Sequence, residues 1–394
     1  MLTIKVPSSK SYTHRAYVMA SLAEGTSKVL NPLLSADTLA TMDACKLLGA
    51  KMEGDTVQGG HLHPVPELDC RNSGTSIRIL MALCSLFDKP VKLFGDSSLN
   101  SRPMQDLADA LSSMGAKVTT TDGKAPMTVQ GPIKGGDVSI SGGTSSQFIS
   151  ALLITLPLVK EESRIHIKGE LVSRPYVDVT LEMLKESGIT VKETDDGFSI
   201  PGSQRYKPHV FNLPGDWSSA SYVIAAGCVS GSVAQNLRED AQGDRAILDI
   251  FMEMGADIEF SNGAVTTWPS LLHGIEVDCS MTPDLVPTIA VMGAMAQGET
   301  VIFGASHLRF KETDRIAVLA KELSKAGVKV TEKPDGLIIK GGPVKDCVLE
   351  SHGDHRIAMA LYLLNAKANV EIKGKECVDV SFPGYFKLME DAFK

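Results

Sequence analysis

The stretch LSSMGAKV, residues 111–118, ends an amphipathic segment at a glycine and continues into residues that favour a β-strand. Four other stretches repeat this pattern: CKLLGAKM at 45–52, LKESGITV at 184–191, FMEMGADI at 251–258 and LSKAGVKV at 323–330. Their glycines lie about 70 residues apart along the chain. Regular spacing of one helix–strand signature predicts a repeated structural unit.

A second series of short motifs marks the starts of apolar helices, out of phase with the first series. The motifs begin at Ser9, Asn72, Gly142, Gly215, Pro283 and Gly353. Together the two series predict six β-α-β-α-β-β units, three in each of two domains, and each unit has one buried and one outer helix. We therefore expect a mixed α/β (α+β) fold.

The length of 394 residues is too great for one compact domain. Prolines and glycines cluster at 201–215, after the third unit, which indicates a domain boundary. We expect an N-terminal domain at 11–212 and a C-terminal domain formed by 213–394 with 1–10, so that the chain crosses twice, near residues 10 and 212. The sixth unit lacks a strand in the C-terminal sequence, and MLTIKV at the N-terminus is the candidate for it.

Composition limits the class of partner. The net charge of −8 argues against nucleic acid or an anionic membrane, because both call for a basic surface. The seven cysteines are scattered without a CxxC pair, which favours a reducing compartment over a disulfide or zinc framework. The N-terminus has no long apolar region, and no apolar run is long enough to span a bilayer. We expect a cytoplasmic protein that binds small molecules.

Several of the predicted buried helices begin with a turn rich in Gly, Ser and Thr and carry a basic residue one turn later. Ser11 is followed by Arg15, and Gly74 by Arg78. The free N–H groups and the positive dipole end of such a helix bind anions, and the basic side chain adds charge there. For any single turn an ordinary Ser/Thr N-cap is the alternative. Several turns in register indicate ligands such as phosphate esters or carboxylates.

The ordered motifs SSKSYTHRAYVMASLAEG, NSGTSIR, GDSSLNSRPMQDLADAL, TSSQFISALLITLPL, VSRPYVDVT, GDWSSASY, PDLVPTIA, LRFKETDRI and GDHRIAMA resemble the 5-enolpyruvylshikimate-3-phosphate (EPSP) synthase family. The resemblance covers nearly the whole chain. It implies two domains built as inside-out α/β barrels with a cleft between them. It also implies transfer of the enolpyruvyl group of phosphoenolpyruvate to the 5-hydroxyl of shikimate 3-phosphate, with release of phosphate. No metal or organic cofactor is implied, and we expect a monomer.

Site residues follow from the resemblance by matching motifs. Those implied for shikimate 3-phosphate are Lys10, Ser11, Arg15, Ser145, Ser146, Gln147, Ser173, Tyr176, Asp284, His307 and Lys311. Those implied for phosphoenolpyruvate are Lys10, Asn72, Gly74, Arg78, Arg102, Gln147, Arg315 and Arg356. The local alternatives are that Ser145 and Ser146 are N-caps, that Ser173 only shapes the turn before Pro175, that Arg102 is a surface turn residue, and that Arg78 is a structural ion-pair partner.

The stretch LRFKETDRI, residues 308–316, would hold much of the chemistry. The resemblance assigns Lys311 to the substrate hydroxyl and Glu312 to proton exchange at the methylene carbon of phosphoenolpyruvate. Asp284 would accept the hydroxyl proton, although it could also be a simple N-cap, and Lys10 completes the catalytic set. Such a mixture suits the reaction, because addition needs a base at the alcohol and an acid at carbon. Asp314 is interpreted as a helix-start or ion-pair residue.

Four positions depart from the usual pattern of the family. Ser8 replaces a glycine, Leu308 stands where bacterial members commonly have Trp, and His307 stands where many have Asn. Val380 occupies the place of a common Lys that contacts phosphoenolpyruvate, so this chain lacks the cation that the family has at this position, and Lys375 is the candidate to replace it.

Two rival functions stay open from the sequence. The UDP-N-acetylglucosamine enolpyruvyl transferase shares fold and reaction type, but it typically carries a Cys before the Arg-Pro motif and lacks KETDR. A non-catalytic binder of anionic metabolites would need the anion turns but not Asp284, Lys311 and Glu312 together.

Overall fold

A computed structural model describes residues 1–393 of the chain. The chain forms two compact units. The N-terminal unit is Lys10–Leu213, and the C-terminal unit is Met1–Ser9 together with the chain from Pro214 onward. The first strand, β1 (Leu2–Lys5), thus belongs to the C-terminal unit.

The N-terminal unit alternates helices with short strands. Its elements in order are α1 Lys10–Leu22, β2 Gly25–Leu30, α2 Ala36–Leu47, β3 Lys51–Glu53, β4 Thr56–Gly59, β5 Glu67–Asp69, α3 Gly74–Cys84, β6 Val91–Phe94, α4 Gln105–Ser113, β7 Lys117–Thr121, β8 Lys124–Gln130, β9 Asp137–Ser141, α5 Ser146–Thr155, β10 Ser163–Lys168, α6 Arg174–Glu186, β11 Lys192–Thr194, β12 Gly197–Ile200 and β13 Val210–Asn212.

The C-terminal unit continues the same alternation. Its further elements are α7 Trp217–Ser230, β14 Ser232–Gln235, α8 Ile247–Glu253, β15 Asp257–Ser261, β16 Ala264–Trp268, β17 Glu276–Asp278, α9 Val286–Met295, β18 Glu299–Phe303, α10 Arg315–Lys325, β19 Lys329–Lys333, β20 Gly336–Lys340, β21 Cys347–Glu350, α11 His355–Tyr362, β22 Val370–Lys373 and α12 Tyr385–Met389. Short 3-10 helices include Gly243–Ala246, Pro283–Leu285, Ser306–Phe310 and Lys375–Val380.

Five of the six sheets share one topology. The N-terminal unit has sheets in the order β13-β2-β4-β3, β5-β6-β8-β7 and β9-β10-β12-β11, and the C-terminal unit has β1-β14-β16-β15 and β17-β18-β20-β19. In each, the first two strands are parallel and the remaining pairs antiparallel. The predicted mixed α/β fold of repeated β-α-β-α-β-β units is confirmed. No sheet among residues 1–393 closes into a barrel.

The sixth sheet contains only β21 and β22, which are parallel. Asn365 lies at the free edge of β22, where its side-chain amide donates to the Val370 carbonyl at 3.0 Å and accepts from the Val370 N–H at 3.1 Å. One side chain therefore satisfies the backbone groups that a third strand satisfies in the other repeats.

The placement of MLTIKV in the sixth unit was wrong. Strand β1 pairs in parallel with β14, with Leu2 opposite Ser232, and so supplies the first strand of the fourth repeat. Backbone bonds extend this pairing, because the Val6 N–H donates to Gln235 and the Asp216 N–H to Pro7. The first repeat obtains its equivalent strand from the other end of its unit, where β13 pairs in parallel with β2.

The two helix classes differ in burial as the sequence predicted. Helices α1, α3, α5, α7, α9 and α11 are buried along nearly their whole length. Helices α4, α6 and α10 bury one face. The five helix-ending glycines all have positive φ, from 76° at Gly188 to 123° at Gly49, which side chains rarely adopt. Within residues 1–393, no helix has both the length and the apolarity to cross a bilayer.

Candidate functional site

The start of α3 is the centre of a group of polar residues in the N-terminal unit. Gly74 is its first residue, and a Cβ added there would lie 2.9 Å from Arg102 Nη1, 3.4 Å from Arg78 Nη1 and 3.7 Å from Gln147 Oε1. Three side chains from three different elements thus meet over the Gly74 backbone. With Asn72, these residues are called the anion group below.

Hydrogen bonds hold the anion group together. Arg78 donates to Gln147 Oε1 at 2.5 Å, and its guanidinium lies 5.1 Å from the centre of the Phe148 ring. Arg102 donates to Asn72 Oδ1 at 2.9 Å. Both arginines are buried, and these two bonds go to neutral side-chain amides, while guanidinium groups are well suited to bind phosphate and carboxylate oxygens.

Arg15 is a buried arginine of α1 whose hydrogen bonds connect α1 with α5 and α6. It donates to Thr180 Oγ1 at 2.7 Å, to Ser150 Oγ at 3.3 Å and to the carbonyls of Ser11 and Tyr176 at 2.9 and 3.1 Å. Burial lowers its pKa to about 10, while the phenols of nearby tyrosines raise it. The guanidinium therefore stays charged at neutral pH.

The remaining candidates of the N-terminal unit start other helices. Lys10 is the first residue of α1 and forms an ion pair with Asp37 at 3.1 Å. Ser145 caps α5 by accepting from the Gln147 N–H at 3.3 Å, and Ser146 is the first residue of that helix. Ser173 precedes α6 in the left-handed conformation, with φ of 55°. The N-cap alternative for Ser145 is thus correct as local structure, and a cap can still donate its hydroxyl to a ligand.

The C-terminal unit contains a network of carboxylates around one arginine. Arg315, buried at the first position of α10, donates to Asp284, Glu312 and Asp354, each at 2.7 Å. Arg356 donates to the other oxygen of Asp284 at 3.2 Å. These five residues are called the acid–base group below. The structure therefore brings together catalytic and substrate-binding candidates from PDLVPTIA, KETDR and GDHR.

Two arginines and a lysine keep Asp284 ionised. Burial alone would raise the pKa of its carboxyl, but Arg356, Arg315 and Lys311 together hold the pKa well below its usual range. The carboxylate is ionised at neutral pH. Asp284 is the second residue of the 3-10 helix Pro283–Leu285, whose N-cap is Thr282, and Leu285 is the N-cap of α9, so the N-cap alternative is wrong.

His307 is neutral at physiological pH. It lies in the 3-10 helix Ser306–Phe310, and burial lowers its pKa to about 4, with a further contribution from Lys311. A neutral imidazole can donate one hydrogen bond and accept another, as a side-chain amide can. This matches the Asn that many family members have there.

The helix starts of the two units differ in charge. In the N-terminal unit, serines 73 and 145 cap α3 and α5. In the C-terminal unit, Asp216 and Asp354 cap α7 and α11. The N-terminal unit therefore offers cations beside neutral caps, while the C-terminal unit sets carboxylates against its arginines. This contrast suits anion binding in one unit and proton transfer in the other.

Asp354 and Asp244 are site residues that the sequence analysis missed. Asp354 is fully buried, caps α11 and also pairs with Arg315. Asp244 accepts a hydrogen bond from the Ser218 hydroxyl, and burial followed by the charge of Asp284 raises its pKa to about 7. Asp354 belongs to the quoted GDHR motif, so its pairing with an arginine could have been anticipated.

Asp314 has the structural role that the sequence predicted. It caps α10 by accepting from the Ala317 N–H at 3.0 Å and pairs with Arg309 at 2.8 Å. Arg309 also pairs with Glu332. Asp314 and Arg309 thus stabilise the segment before α10, while Glu312 and Arg315 belong to the acid–base group.

The departure at Val380 lies at the end of the 3-10 helix Lys375–Val380, where Val380 is half-buried. The Lys375 ammonium is 5.9 Å from the centre of the Phe386 ring. Its charge is therefore already directed at an aromatic face.

Comparison with known proteins decides between the rival functions. The sequence pattern of EPSP synthase (3-phosphoshikimate 1-carboxyvinyltransferase) matches residues 2–389. The chain belongs to the EPSP synthase family. Membership makes it a carboxyvinyltransferase of the shikimate pathway that acts on phosphoenolpyruvate and shikimate 3-phosphate, as the resemblance implied.

Relatives and solved structures agree with this assignment. The chain is 44% identical to a 3-phosphoshikimate 1-carboxyvinyltransferase of Methanocella arvoryzae over 98% of this chain and 94% of that protein. It is 44% identical to one of Methanocaldococcus jannaschii with the same coverage. A structure of EPSP synthase from Acinetobacter baumannii superimposes with a TM-score of 0.81 at 29% identity and covers 99% of this chain and 95% of that one.

Proposed function

We propose that the anion group and the acid–base group serve one reaction, in which Asp284 is the base at the 5-hydroxyl of shikimate 3-phosphate. The observation that supports this most is the pair of arginine bonds to Asp284, from Arg315 at 2.7 Å and Arg356 at 3.2 Å. Two cations keep the carboxylate ionised, and only the ionised form can accept a proton.

The same arginines make Asp284 a weak base while the site holds no anion. Phosphoenolpyruvate brings a carboxylate and a phosphate, and both compete for Arg315 and Arg356. Once the arginines bind these groups, less of their charge stabilises the Asp284 carboxylate, so its proton affinity rises. Base strength thus increases when phosphoenolpyruvate is bound, which couples proton removal to the presence of both substrates.

The reaction then proceeds by addition and elimination. In addition, the hydroxyl oxygen bonds to C2 of phosphoenolpyruvate, Asp284 takes the hydroxyl proton and Glu312 delivers a proton to C3. In elimination, Glu312 removes a proton from C3, the double bond forms again and the C2–O bond to phosphate breaks. Lys311 holds the attacking oxygen, and Lys10 stabilises the charge of the departing phosphate.

Shikimate 3-phosphate binds chiefly to helix starts of the N-terminal unit. Four of the five N–H groups of Arg15 are engaged by protein oxygens, so it contributes mainly its fixed charge. The hydroxyl, amide and imidazole donors proposed around the ligand are Ser11, Ser145, Ser146, Gln147, Ser173, Tyr176 and His307.

Phosphoenolpyruvate binds to the anion group together with Arg315 and Arg356. Gly74 leaves the α3 backbone open to the phosphate, because any side chain there would collide with Arg102. The two arginines of the anion group supply planar donors that fit phosphate and carboxylate oxygens.

An assay of phosphate release with both substrates tests these roles. We expect Asp284→Asn and Glu312→Gln to fold normally and to lose turnover by roughly 10²-fold or more, the scale of positioned acid–base catalysis. Asp314→Asn is the matched control, since Asn also caps helices and Asp314 makes no bond to the acid–base group. Near-normal activity of either test variant would show that its assigned role is wrong.

We further propose that the two chain crossings act as hinges, so that substrate binding draws the units together, and that the protein works as a monomer in the cytoplasm. The crossings lie at Ser9–Lys10 and Leu213–Pro214. Small-angle scattering tests the monomer and the hinge closure in solution: the mass should equal one chain, and the radius of gyration should fall with saturating substrates. A dimer mass or an unchanged radius at saturation would refute the respective point.

A further inference from the structure

Helix α10 carries two buried charges on one side. Arg315 opens the helix and Glu322 follows seven residues later, which places them two turns apart on the same face. Both side chains are almost completely buried, 2% and 0% exposed. A buried carboxylate is costly unless it is fully bonded, so its partners indicate its purpose.

Two partners of Glu322 lie at the end of β21 and in the segment between β21 and α11, and a third lies in α10 itself. Its Oε2 accepts from the backbone N–H of Glu350 at 3.1 Å, and its Oε1 is 2.9 Å from Nε2 of His352. Lys325, one turn later in α10, donates to both oxygens at 2.7 and 2.9 Å. Burial acts to raise the pKa of Glu322, but the His352, Lys325 and Glu350 bonds lower it overall, and the carboxylate is ionised.

That segment has an unusual backbone. His352 has φ of 52° and Gly353 has φ of 73°, so two consecutive residues are left-handed, and the first is not a glycine. The Ser351 hydroxyl donates to the Gly374 carbonyl and accepts from the Gly353 N–H. Such a conformation persists only where surrounding contacts hold it.

The segment leads directly into the acid–base group. Asp354, the next residue, caps α11 and accepts from Arg315, and Arg356 follows and donates to Asp284. Helix α10 therefore holds the segment at two points, through Glu322 at its start and through Arg315 at its end.

We propose that Glu322 is a positioning residue for phosphoenolpyruvate, which acts by fixing the His352–Gly353 turn and thereby the direction of Arg356. This inference rests on the role proposed above for Arg356. Glu322 is not a catalytic residue, because its bonds go to the turn and not to the acid–base group. Loss of its charge should displace Arg356 and weaken the binding of the anion that Arg356 holds, while shikimate 3-phosphate binds through the N-terminal unit.

Steady-state kinetics of Glu322→Gln test the inference. We expect the Michaelis constant for phosphoenolpyruvate to rise roughly tenfold and that for shikimate 3-phosphate to change less than about twofold, on the scale of one coupled polar contact. Lys325→Met is the matched control, since it removes a partner of Glu322 but leaves the bonds to the turn, and it should leave both constants nearly unchanged. Equal changes in both constants for Glu322→Gln, or an equal effect of Lys325→Met, would refute the positioning role.

A second variant tests the same inference if Glu322→Gln fails to fold. His352→Asn removes the imidazole contact to Glu322, while Asn tolerates left-handed backbone. It should raise the same Michaelis constant, and an unchanged constant would count against the inference. Tyr206→Phe, which removes a buried bond to Ile154 in the N-terminal unit, controls for general destabilisation.

Failure of this inference is distinguishable from failure of the proposed site. If Arg356→Gln leaves phosphoenolpyruvate binding intact, the role of Arg356 is wrong and the inference falls with it. If Arg356→Gln weakens binding but Glu322→Gln does not, only the positioning role is refuted.

Discussion

The substitution Gly74→Ala should weaken the binding of phosphoenolpyruvate but not that of shikimate 3-phosphate. The added methyl carbon would lie 2.9 Å from Arg102 Nη1, closer than real Cβ atoms approach a heavy atom. Gly74 does not have a left-handed φ, so the backbone itself is not strained by alanine. The end of the Arg102 side chain must therefore move, and its 2.9 Å bond to Asn72 is disturbed.

The magnitude follows from the kind of contact that is lost. A hydrogen bond from a charged donor contributes about 1.5 to 3 kcal/mol, which corresponds to roughly 10- to 150-fold in affinity. We expect the Michaelis constant for phosphoenolpyruvate to rise within this range, and that for shikimate 3-phosphate to change less than about twofold.

The assay is phosphate release with each substrate varied in turn. Gly342→Ala is the matched control, because Gly342 also lacks a left-handed φ and a Cβ there would meet open space. It should leave both constants unchanged. If Gly74→Ala leaves the phosphoenolpyruvate constant unchanged, Arg102 does not hold this substrate; if both constants rise together, the methyl group disturbs the helix start as a whole.

Two further predictions concern His307 and Val380. The pKa of His307 is about 4 in the folded protein, below the value near 6.5 in the unfolded chain. The contribution of neutral His307 to the free energy of unfolding, about 3 kcal/mol, is therefore fully present above pH 6.5 and is lost as the pH falls towards 4. Urea unfolding at pH 7.5 and 4.5 should therefore show a smaller loss of stability for His307→Asn than for the unaltered chain, and equal losses would contradict the burial argument. Val380→Lys should lower the Michaelis constant for phosphoenolpyruvate and steepen its salt dependence if this position faces the anion; should nothing change, Lys375→Ala shows whether Lys375 replaces the missing charge.

Much of the fold could be predicted because local rules and the repeat agreed. The helix-ending glycines were recognisable because a left-handed residue after a helix strongly favours glycine. The position of β1 could not be predicted in this way. A four-residue strand fits several sheet edges equally well by composition, and only the long-range pairing with β14 selects one.

The site likewise contains residues that the sequence could predict and residues that it could not. Motifs identified residues whose chemistry is visible in their type, such as Arg315 and Glu312. Asp244 could not be predicted from the sequence, because its burial beside Asp284 and Arg356 results from packing between elements distant in sequence. The contacts of Glu322 could not be predicted for the same reason, since the amphipathic pattern of the helix does not distinguish Glu322 from its exposed polar residues.

The exchange of first strands between the first and fourth repeats affects how the protein is made. The first repeat cannot complete its sheet until β13, at Val210–Asn212, has left the ribosome. Strand β1 is synthesised first but waits for β14, about 230 residues later. At typical rates of roughly 5 to 20 residues per second, this wait is on the order of 10 to 50 seconds. During this time LTIK is an unpaired strand attached to a nascent unit that it will not join. Its shortness and its one threonine and one lysine side chain limit premature pairing.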